Sequence, residues 1–380
     1  MPSYFAAAMF QRLSSVDYVS FGKAIAIGTV GGAILAWFSF PLAWMIGAML
    51  TTAAASLAHV QQSVPRQLRS AMVMILGIML GSSFHPDIIN DLSRWAVTVV
   101  TLVPYIILCV LVGVVFLRRF GQMDPVTAYF TATPGGLNEM VIIGGQLGGD
   151  DRTIALSHSS RIMIVVVTIP FWFQLFGGID AGSRGALGPD VFDIPIRDYL
   201  LLALCVLGAP IALYFRLPAA VLVGPMVLSA LIHLGGWTNS SPPALLIATA
   251  QVVVGAAIGA RFVGMSARQI GKVFLIALGL TALMLSITVA FALVLHQVTG
   301  IDTAAIVLAY APGGLAEMSL IALALDVDAA FVATHHIVRI IVIVLFAPAA
   351  FKLVARFMGT SNGPDLPLPN PTDDQANRRD

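Results

Sequence analysis

Charge is what this chain has least of. Only 10% of its 380 residues are charged, against 58% that are hydrophobic, whereas a soluble domain carries about 25% charged residues. That shortfall excludes an ordinary soluble fold. The long apolar runs, Trp95 to Leu117 and Val273 to Leu295 among them, each exceed the roughly 20 residues a helix needs to cross a bilayer. Polar–apolar alternation in segments of about 10 residues is missing, which excludes a membrane β-barrel. No basic run is long enough to form a nucleic-acid patch, and the net charge is +1. Cysteine is almost absent: Cys109 and Cys205 both fall inside apolar spans, so no disulfide framework is expected. The start of the chain lacks a short apolar core followed by a small-residue cleavage site. It does not read as a signal peptide, and Ala24 to Phe38 reads as the start of the first membrane helix.

What is present is a duplication. The segment Pro134-Gly135-Gly136-Leu137-Asn138-Glu139-Met140 recurs as Pro312-Gly313-Gly314-Leu315-Ala316-Glu317-Met318, an offset of 178 residues. The same offset aligns Asp150 with Asp328, His158 with His336, Arg161 with Arg339, Gly77 with Gly255 and Gly81 with Gly259. An offset of 177 aligns Phe38, Pro41, Gly47 and Met49 with Phe215, Pro218, Gly224 and Met226. Chance apolar similarity does not align charges inside apolar spans. The gene for this chain therefore encodes one helical repeat twice.

Each copy holds five helix candidates: 20–38, 42–60, 68–84, 95–118 and 153–176 in the first, and 198–215, 219–235, 244–262, 272–296 and 330–354 in the second. Between the fourth and fifth of each copy lies the Pro-Gly-Gly segment, apolar but broken. It either re-enters the membrane from one side or crosses it as an interrupted helix. Basic residues favour the first option, because positive loops face the cytoplasm. In the first copy they follow the second and fourth helices (Arg66, Arg69, Arg118, Arg119); in the second they follow the first, third and last (Arg216, Arg261, Arg268, Lys272, Lys352, Arg356). The bias changes sides between copies, which an odd number of crossings per copy produces. The expected fold is an all-α integral membrane protein of two inverted-topology repeats, about five transmembrane helices each, with both termini cytoplasmic. The first repeat is placed at 20–177, a periplasmic linker at 178–197, the second repeat at 198–357 and a disordered cytoplasmic tail at 360–380.

Ionisable residues inside membrane spans cost about 2.5–3.5 kcal/mol each on insertion scales and are functional candidates by default. Here they come in symmetric sets. Glu139 and Glu317 follow the Pro-Gly-Gly turns, and Arg161 and Arg339 lie 22 residues further on. His158 and His336 precede the arginines by three residues, on the same helix face, and His335 adds a second imidazole in the second copy. Interrupted segments in inverted repeats commonly build a substrate or ion site near the midplane. The candidate site is thus Pro134, Gly135, Gly136, Asn138, Glu139, His158 and Arg161 with Pro312, Gly313, Gly314, Glu317, His335, His336 and Arg339. A helix restarting after Pro-Gly-Gly offers free N–H groups to an anion, its carboxylate suits a proton or cation, and arginine offers a fork for a carboxylate or phosphate. The alternative is purely structural: Glu139 paired with Arg161, and Glu317 with Arg339, as buried ion pairs. Asp150 and Asp328 read as helix caps, and Gly77, Gly81, Gly255 and Gly259 as close helix packing.

With two Pro-Gly-Gly-Leu-x-Glu-Met segments, each followed by a histidine and an arginine on a long apolar helix, the chain resembles the AbrB family of duplicated-domain bacterial membrane proteins. Members of that family carry labels of ammonia monooxygenase or regulator of gene expression. The resemblance implies a multi-pass protein of the bacterial inner membrane. A copper or iron oxygenase needs convergent imidazoles and carboxylates, and no His-x-x-x-His spacing supplies them. We therefore expect no enzyme activity, no catalytic residues, no metal and no cofactor. The expected partners are the lipid bilayer and a small-molecule or ion ligand, without nucleic acid, and a homo-oligomer is left open. The reading is a secondary transporter of a small solute, with an anion among the candidates. The alternative is a membrane sensor that acts indirectly on gene expression.

Overall fold

The computed structural model describes residues 17–86, 88–176, 187–265 and 267–357. The tail at 360–380 and the first part of the linker at 178–197 lie outside the described residues. Within the described residues the chain is helical and has no strand. Seven stretches are long and apolar enough to cross a membrane, and the chain is a multi-pass membrane protein.

The first half runs α1 (Tyr18–Trp37), α2 (Ala43–Leu57), α3 (Arg66–Gly81), α4 (Ile88–Phe116), α5 (Pro125–Ala132), α6 (Leu137–Gln146) and α7 (Asp151–Phe176). The second runs α8 (Ile196–Leu204), α9 (Gly208–Tyr214), α10 (Ala220–Leu234), α11 (Ala244–Gly259), α12 (Ala267–Thr299), α13 (Thr303–Tyr310), α14 (Leu315–Ala324) and α15 (Ala329–Phe357). Helices α8 and α9 together occupy the place of α1. Pro210 has no N–H to continue the ladder, and a single 3₁₀ turn at Cys205–Leu207 joins the two pieces.

A helix stands at each of the ten expected positions, but α2 and α10 have 15 residues and α3 has 16. At 1.5 Å per residue such helices reach only about 23 Å, less than the hydrocarbon thickness of about 30 Å. The starts of α2 and α10 are set by backbone, not by hydropathy. Leu42 (φ 52°) and Ala219 (φ 51°), each following a proline, are left-handed and end the turn before the helix begins.

The short helices pack across the halves. A Cβ on Gly77 would meet the Leu222 carbonyl, and one on Gly81 the Met226 carbonyl; Gly255 and Gly259 stand in the same relation to Met45 and Met49. So α3 lies backbone-close on α10, and α11 on α2, as small-residue spacing predicts. The Ser229 hydroxyl donates to the Ile78 carbonyl at 2.8 Å and the Ser56 hydroxyl to that of Gly259 at 3.0 Å. These helices, with α1, α8 and α9, form one packed group; α4–α7 with α12–α15 form the other. Trp37, Phe38, Tyr214 and Phe215 stand exposed at the ends of α1 and α9, where aromatic side chains suit the lipid–water boundary.

The Pro-Gly-Gly segments are tips of helical hairpins. In the first, the Asp150 N–H, beyond the end of α6, donates to the Thr127 hydroxyl in the first turn of α5 at 2.8 Å. In the second, Ile301 and Asp302 before α13 share a cavity with Asp326 and Asp328 after α14. Each segment therefore returns to the end from which it started. The base of the second hairpin lies beside Arg94 and Trp95 in the first part of α4, whereas the first hairpin follows the far end of α4. The two hairpins approach each other from opposite ends of that helix. Asp150 and Asp328 cap α7 and α15 as expected, accepting from the N–H groups of Thr153 and Phe331. The Thr153 hydroxyl, at 2.5 Å, holds the Asp150 carboxyl below the usual carboxylate range.

Candidate functional site

The first helix of each hairpin ends in carbonyl groups with no partner inside the helix. A buried arginine takes them. Arg161 Nη1 donates to the carbonyls of Thr131 and Thr133, both at 3.3 Å. Arg339 donates to those of Tyr310 (3.1 Å), Ala311 (2.7 Å) and Gly313 (3.0 Å). Guanidinium charge also suits the negative end of a helix. Each arginine is oriented by the histidine one turn earlier: Nη2 lies 3.0 Å from His158 Nδ1, and 2.9 Å from His336 Nδ1 in the second copy. Arginine has only donors, so Nδ1 accepts in both rings. The proton then sits on Nε2, which donates to the carbonyl of Phe130 at 2.9 Å or Leu308 at 3.0 Å. Both imidazoles are thereby fixed as neutral and serve to aim the arginines.

The second helix of each hairpin begins at the glycines. Gly136 is left-handed (φ 59°) and caps α6; Gly314, at φ −82°, caps α14. Glu139 and Glu317 are the third residues of these helices. Each carboxylate folds back over its cap glycine, closely enough that a Cβ on Gly314 would collide with Glu317 Oε2. That is the position for a negative charge at a helix N-terminus. Neither carboxylate is ion-paired to the arginine of its own repeat, so the alternative of a buried Glu–Arg pair is not what the fold builds: backbone carbonyls and a histidine engage the Nη atoms of both guanidinium groups, and only Nε is left.

The two tips meet. Gly135 approaches Arg339 and Ile343 of α15, where a Cβ would lie 3.6 Å from Arg339 Nε. Around them lies a cavity of about 460 Å³ between the two helix groups. Gly135, Gly136, Asn138, Glu139, His158, Arg161, Gly313, Gly314, Glu317 and Arg339 line it. Pro134, Pro312, His335 and His336 do not. The prolines are in the turns behind the tips, His336 is behind Arg339, and His335, one turn before Arg339, is engaged by Thr98 of α4. Two charged lining residues escape a sequence reading: Arg69 of α3 and Arg261 after α11. Both look like ordinary loop charges in the sequence. In the fold Arg261 donates to the Ser159 hydroxyl at 3.0 Å. The cavity thus collects four guanidinium groups and two carboxylates in walls otherwise largely apolar. The Nε atoms of Arg69, Arg161 and Arg339 are buried without a hydrogen-bond partner. Among the described residues no three His, Cys, Asp or Glu side chains are grouped to hold a metal ion.

The family described as "Transition state regulatory protein AbrB" matches residues 12–355. A Bacillus subtilis (strain 168) protein called "Uncharacterized protein YhjN" is 31% identical over 363 residues, covering 88% of this chain and 93% of its own. The "Putative regulator AbrB" of Escherichia coli (strain K12) is 26% identical over 322 residues, covering 84% of this chain and 91% of its own. No solved structure matches. The family match spans nearly the whole chain, both hairpins included, and the chain belongs to the AbrB family.

Proposed function

We propose that the chain is a secondary transporter of a small organic or inorganic anion in the bacterial inner membrane, with the central cavity as its binding site. The observation that carries this reading is the charge of the cavity: four guanidinium groups against two carboxylates, beside the first turns of two helices. An excess of fixed positive charge in low-dielectric walls attracts anions, and helix N-termini supply N–H donors to them. Glu139 and Glu317 act as resident counter-anions in the empty site, giving way when a ligand carboxylate or phosphate arrives. The inverted arrangement of the repeats supports movement, because each half can present the site to one side of the membrane. Catalysis is not part of this reading.

The printed name of the Escherichia coli relative favours a second reading, a sensor that binds the same anion without moving it. One experiment addresses both. Purified protein is screened for thermal shift against acetate, succinate, inorganic phosphate and primary amines, and those that bind are tested for flux in proteoliposomes. We expect an anion to raise the unfolding midpoint, Arg261→Gln to abolish that rise, and the same anion to be transported. Binding without flux would favour the sensor; a response to amines alone would remove the anion site.

A further inference from the structure

A second cavity, of about 270 Å³, opens at the base of the second hairpin. Asp302, Asp326, Asp328 and Arg94 stand at its walls, and Trp95 and Phe331 line it above His335. The imidazole of His335 lies directly behind them, its ring centroid 4.0 Å from that of Phe331 and 6.5 Å from that of Trp95. His335 is wholly buried. We propose that His335 is a proton-binding site, filled from this second cavity, that couples a proton to the anion in the central one. The coupling part rests on the transport reading above.

The hydrogen bonds of His335 differ from those of His158 and His336. Its Nδ1 lies 2.8 Å from the Phe331 carbonyl, which only accepts, so Nδ1 carries a hydrogen in every state. Its Nε2 lies 2.8 Å from the Thr98 hydroxyl, which both donates and accepts. That hydroxyl is also 2.9 Å from the Trp95 carbonyl. With His335 neutral, Thr98 donates to Nε2. His335 and Thr98 do not themselves line the second cavity, so a proton enters when Trp95 or Phe331 moves aside and a hydronium ion reaches the imidazole; the Nε2 lone pair then forms the new N–H bond and water is left behind. Thr98 then turns its own hydrogen to the Trp95 carbonyl and accepts from Nε2. Both states are fully bonded, and only a hydroxyl rotates between them. The arginine-bound histidines have no such freedom, since a guanidinium occupies Nδ1 and a carbonyl faces Nε2.

The polar cluster around His335 belongs to one half only. At the repeat offset, Trp95, Thr98, Thr101, Tyr310 and His335 correspond to Val273, Ile276, Gly279, Ala132 and Ser157. The first hairpin is built without it, so capping a hairpin with arginine does not require it. Several charged and titratable groups surround the imidazole. Helix α13 presents Tyr310, 6.2 Å away between ring centroids; α4 presents Tyr105, bonded to the Tyr310 carbonyl at 2.8 Å, and Arg94 at the cavity wall. On its own helix stand Asp328, His336 and, one turn on, Arg339, while α14 and α3 turn Glu317 and Arg69 toward the central cavity. A proton on His335 adds positive charge one turn from Arg339, and an anion held by Arg339 offsets that charge. Anion binding and proton binding therefore favour each other, in both directions.

The test uses the full-length protein in lipid bilayers with ¹⁵N-labelled histidine, read by solid-state NMR. The His335 resonances are those lost in His335→Asn. Between about pH 8 and pH 3, a range that extends well below ordinary histidine titration, we expect Nε2 of His335 to become protonated reversibly while His158 and His336 stay neutral. Thr98→Val removes the acceptor of the new N–H and should lower the midpoint by about one pH unit, the worth of one charge-assisted hydrogen bond; Thr98→Ser should restore it. An Nε2 that stays unprotonated across the range in folded protein, or a midpoint indifferent to Thr98→Val, overturns the proposal. Flux of acetate, succinate and phosphate is measured on the same preparation. Titration of His335 without flux of any of them supports the proton site and removes the transport reading. A silent His335 beside measurable flux removes the proton site alone.

Discussion

Arg161 and Arg339 are buried deeply, at 3% and 1% exposure, and a buried charge normally implies a partner of opposite sign. Here the partners are main-chain carbonyls and a neutral imidazole, a different arrangement with different consequences. Arg339→Met leaves the Gly313 carbonyl and the Nδ1 of His336 unpaired, whereas the Tyr310 carbonyl keeps the Tyr105 hydroxyl and the Ala311 carbonyl keeps the Gly313 N–H. At about 1–3 kcal/mol for each buried polar group left without a partner, the expected loss is at least about 2 kcal/mol. Glu317→Gln keeps the shape and breaks no ion pair with Arg339, so it should cost under about 1 kcal/mol. Equilibrium unfolding in mixed micelles measures both. In the first repeat, Glu139→Gln with Arg161→Met should lose about the sum of the single losses. Recovery of stability in that double variant would restore the ion-pair interpretation and contradict the capping one. The charges themselves were legible in the sequence, because they interrupt apolar spans. Their partners were not, because a carbonyl belongs to every residue and only the fold decides which ones lack a partner. Arg69 and Arg261 were hidden for another reason: a basic residue near a helix end reads as a topology signal, and nothing local shows that it turns inward.

At the scale of the hairpin, the matched glycines do different work. Gly135 and Gly136 have positive φ, 152° and 59°, where a side chain is strained. In the second copy Gly313 is not left-handed, and a Cβ there would meet only the flexible Met318 side chain, at 2.7–2.8 Å. Gly136→Ala should therefore destabilise by about 1–2 kcal/mol, whereas Gly313→Ala should cost less because Met318 can move aside. Thermal unfolding of the two variants side by side checks this, and equal losses would show that sequence symmetry, not backbone conformation, governs the turns. The positions of the ten expected helices and of both breaks were readable from hydropathy and from Pro-Gly-Gly. The short spans of α2, α3 and α10 were not, since their ends are set by left-handed residues such as Leu42 and by glycine contacts with another helix. Nor could the sequence decide between a hairpin and a broken crossing helix. That choice rests on contacts such as Asp150 with Thr127, which join residues 23 apart.

For the whole molecule, the placement of charge and the placement of the cavities make one argument. The first hairpin follows the end of α4 that carries Arg118 and Arg119, and the second hairpin has its base at the other end, beside Arg94. Basic loop residues face the cytoplasm, and the pair Arg118–Arg119 outweighs Arg94. We propose that the first hairpin is based on the cytoplasmic side and the second on the periplasmic side, with their tips meeting at the central cavity. On that proposal five crossings in each half give the same orientation, which puts Arg69 and Arg261 at the cytoplasmic side of that cavity and the second cavity toward the periplasm. Reporter fusions after Arg119 and at Met265 should therefore read cytoplasmic, and fusions at Gly182 and His296 periplasmic. A cytoplasmic signal at Gly182 would mean an even number of crossings in the first half, and the two repeats would then be parallel. In a parallel arrangement both hairpins would be based on the same side, which their approach from opposite ends of α4 does not allow. The Gly182 fusion therefore bears on the fold as much as on the orientation. A periplasmic reading there also places the vestibule of His335 on the side of the membrane where a respiring cell keeps its protons.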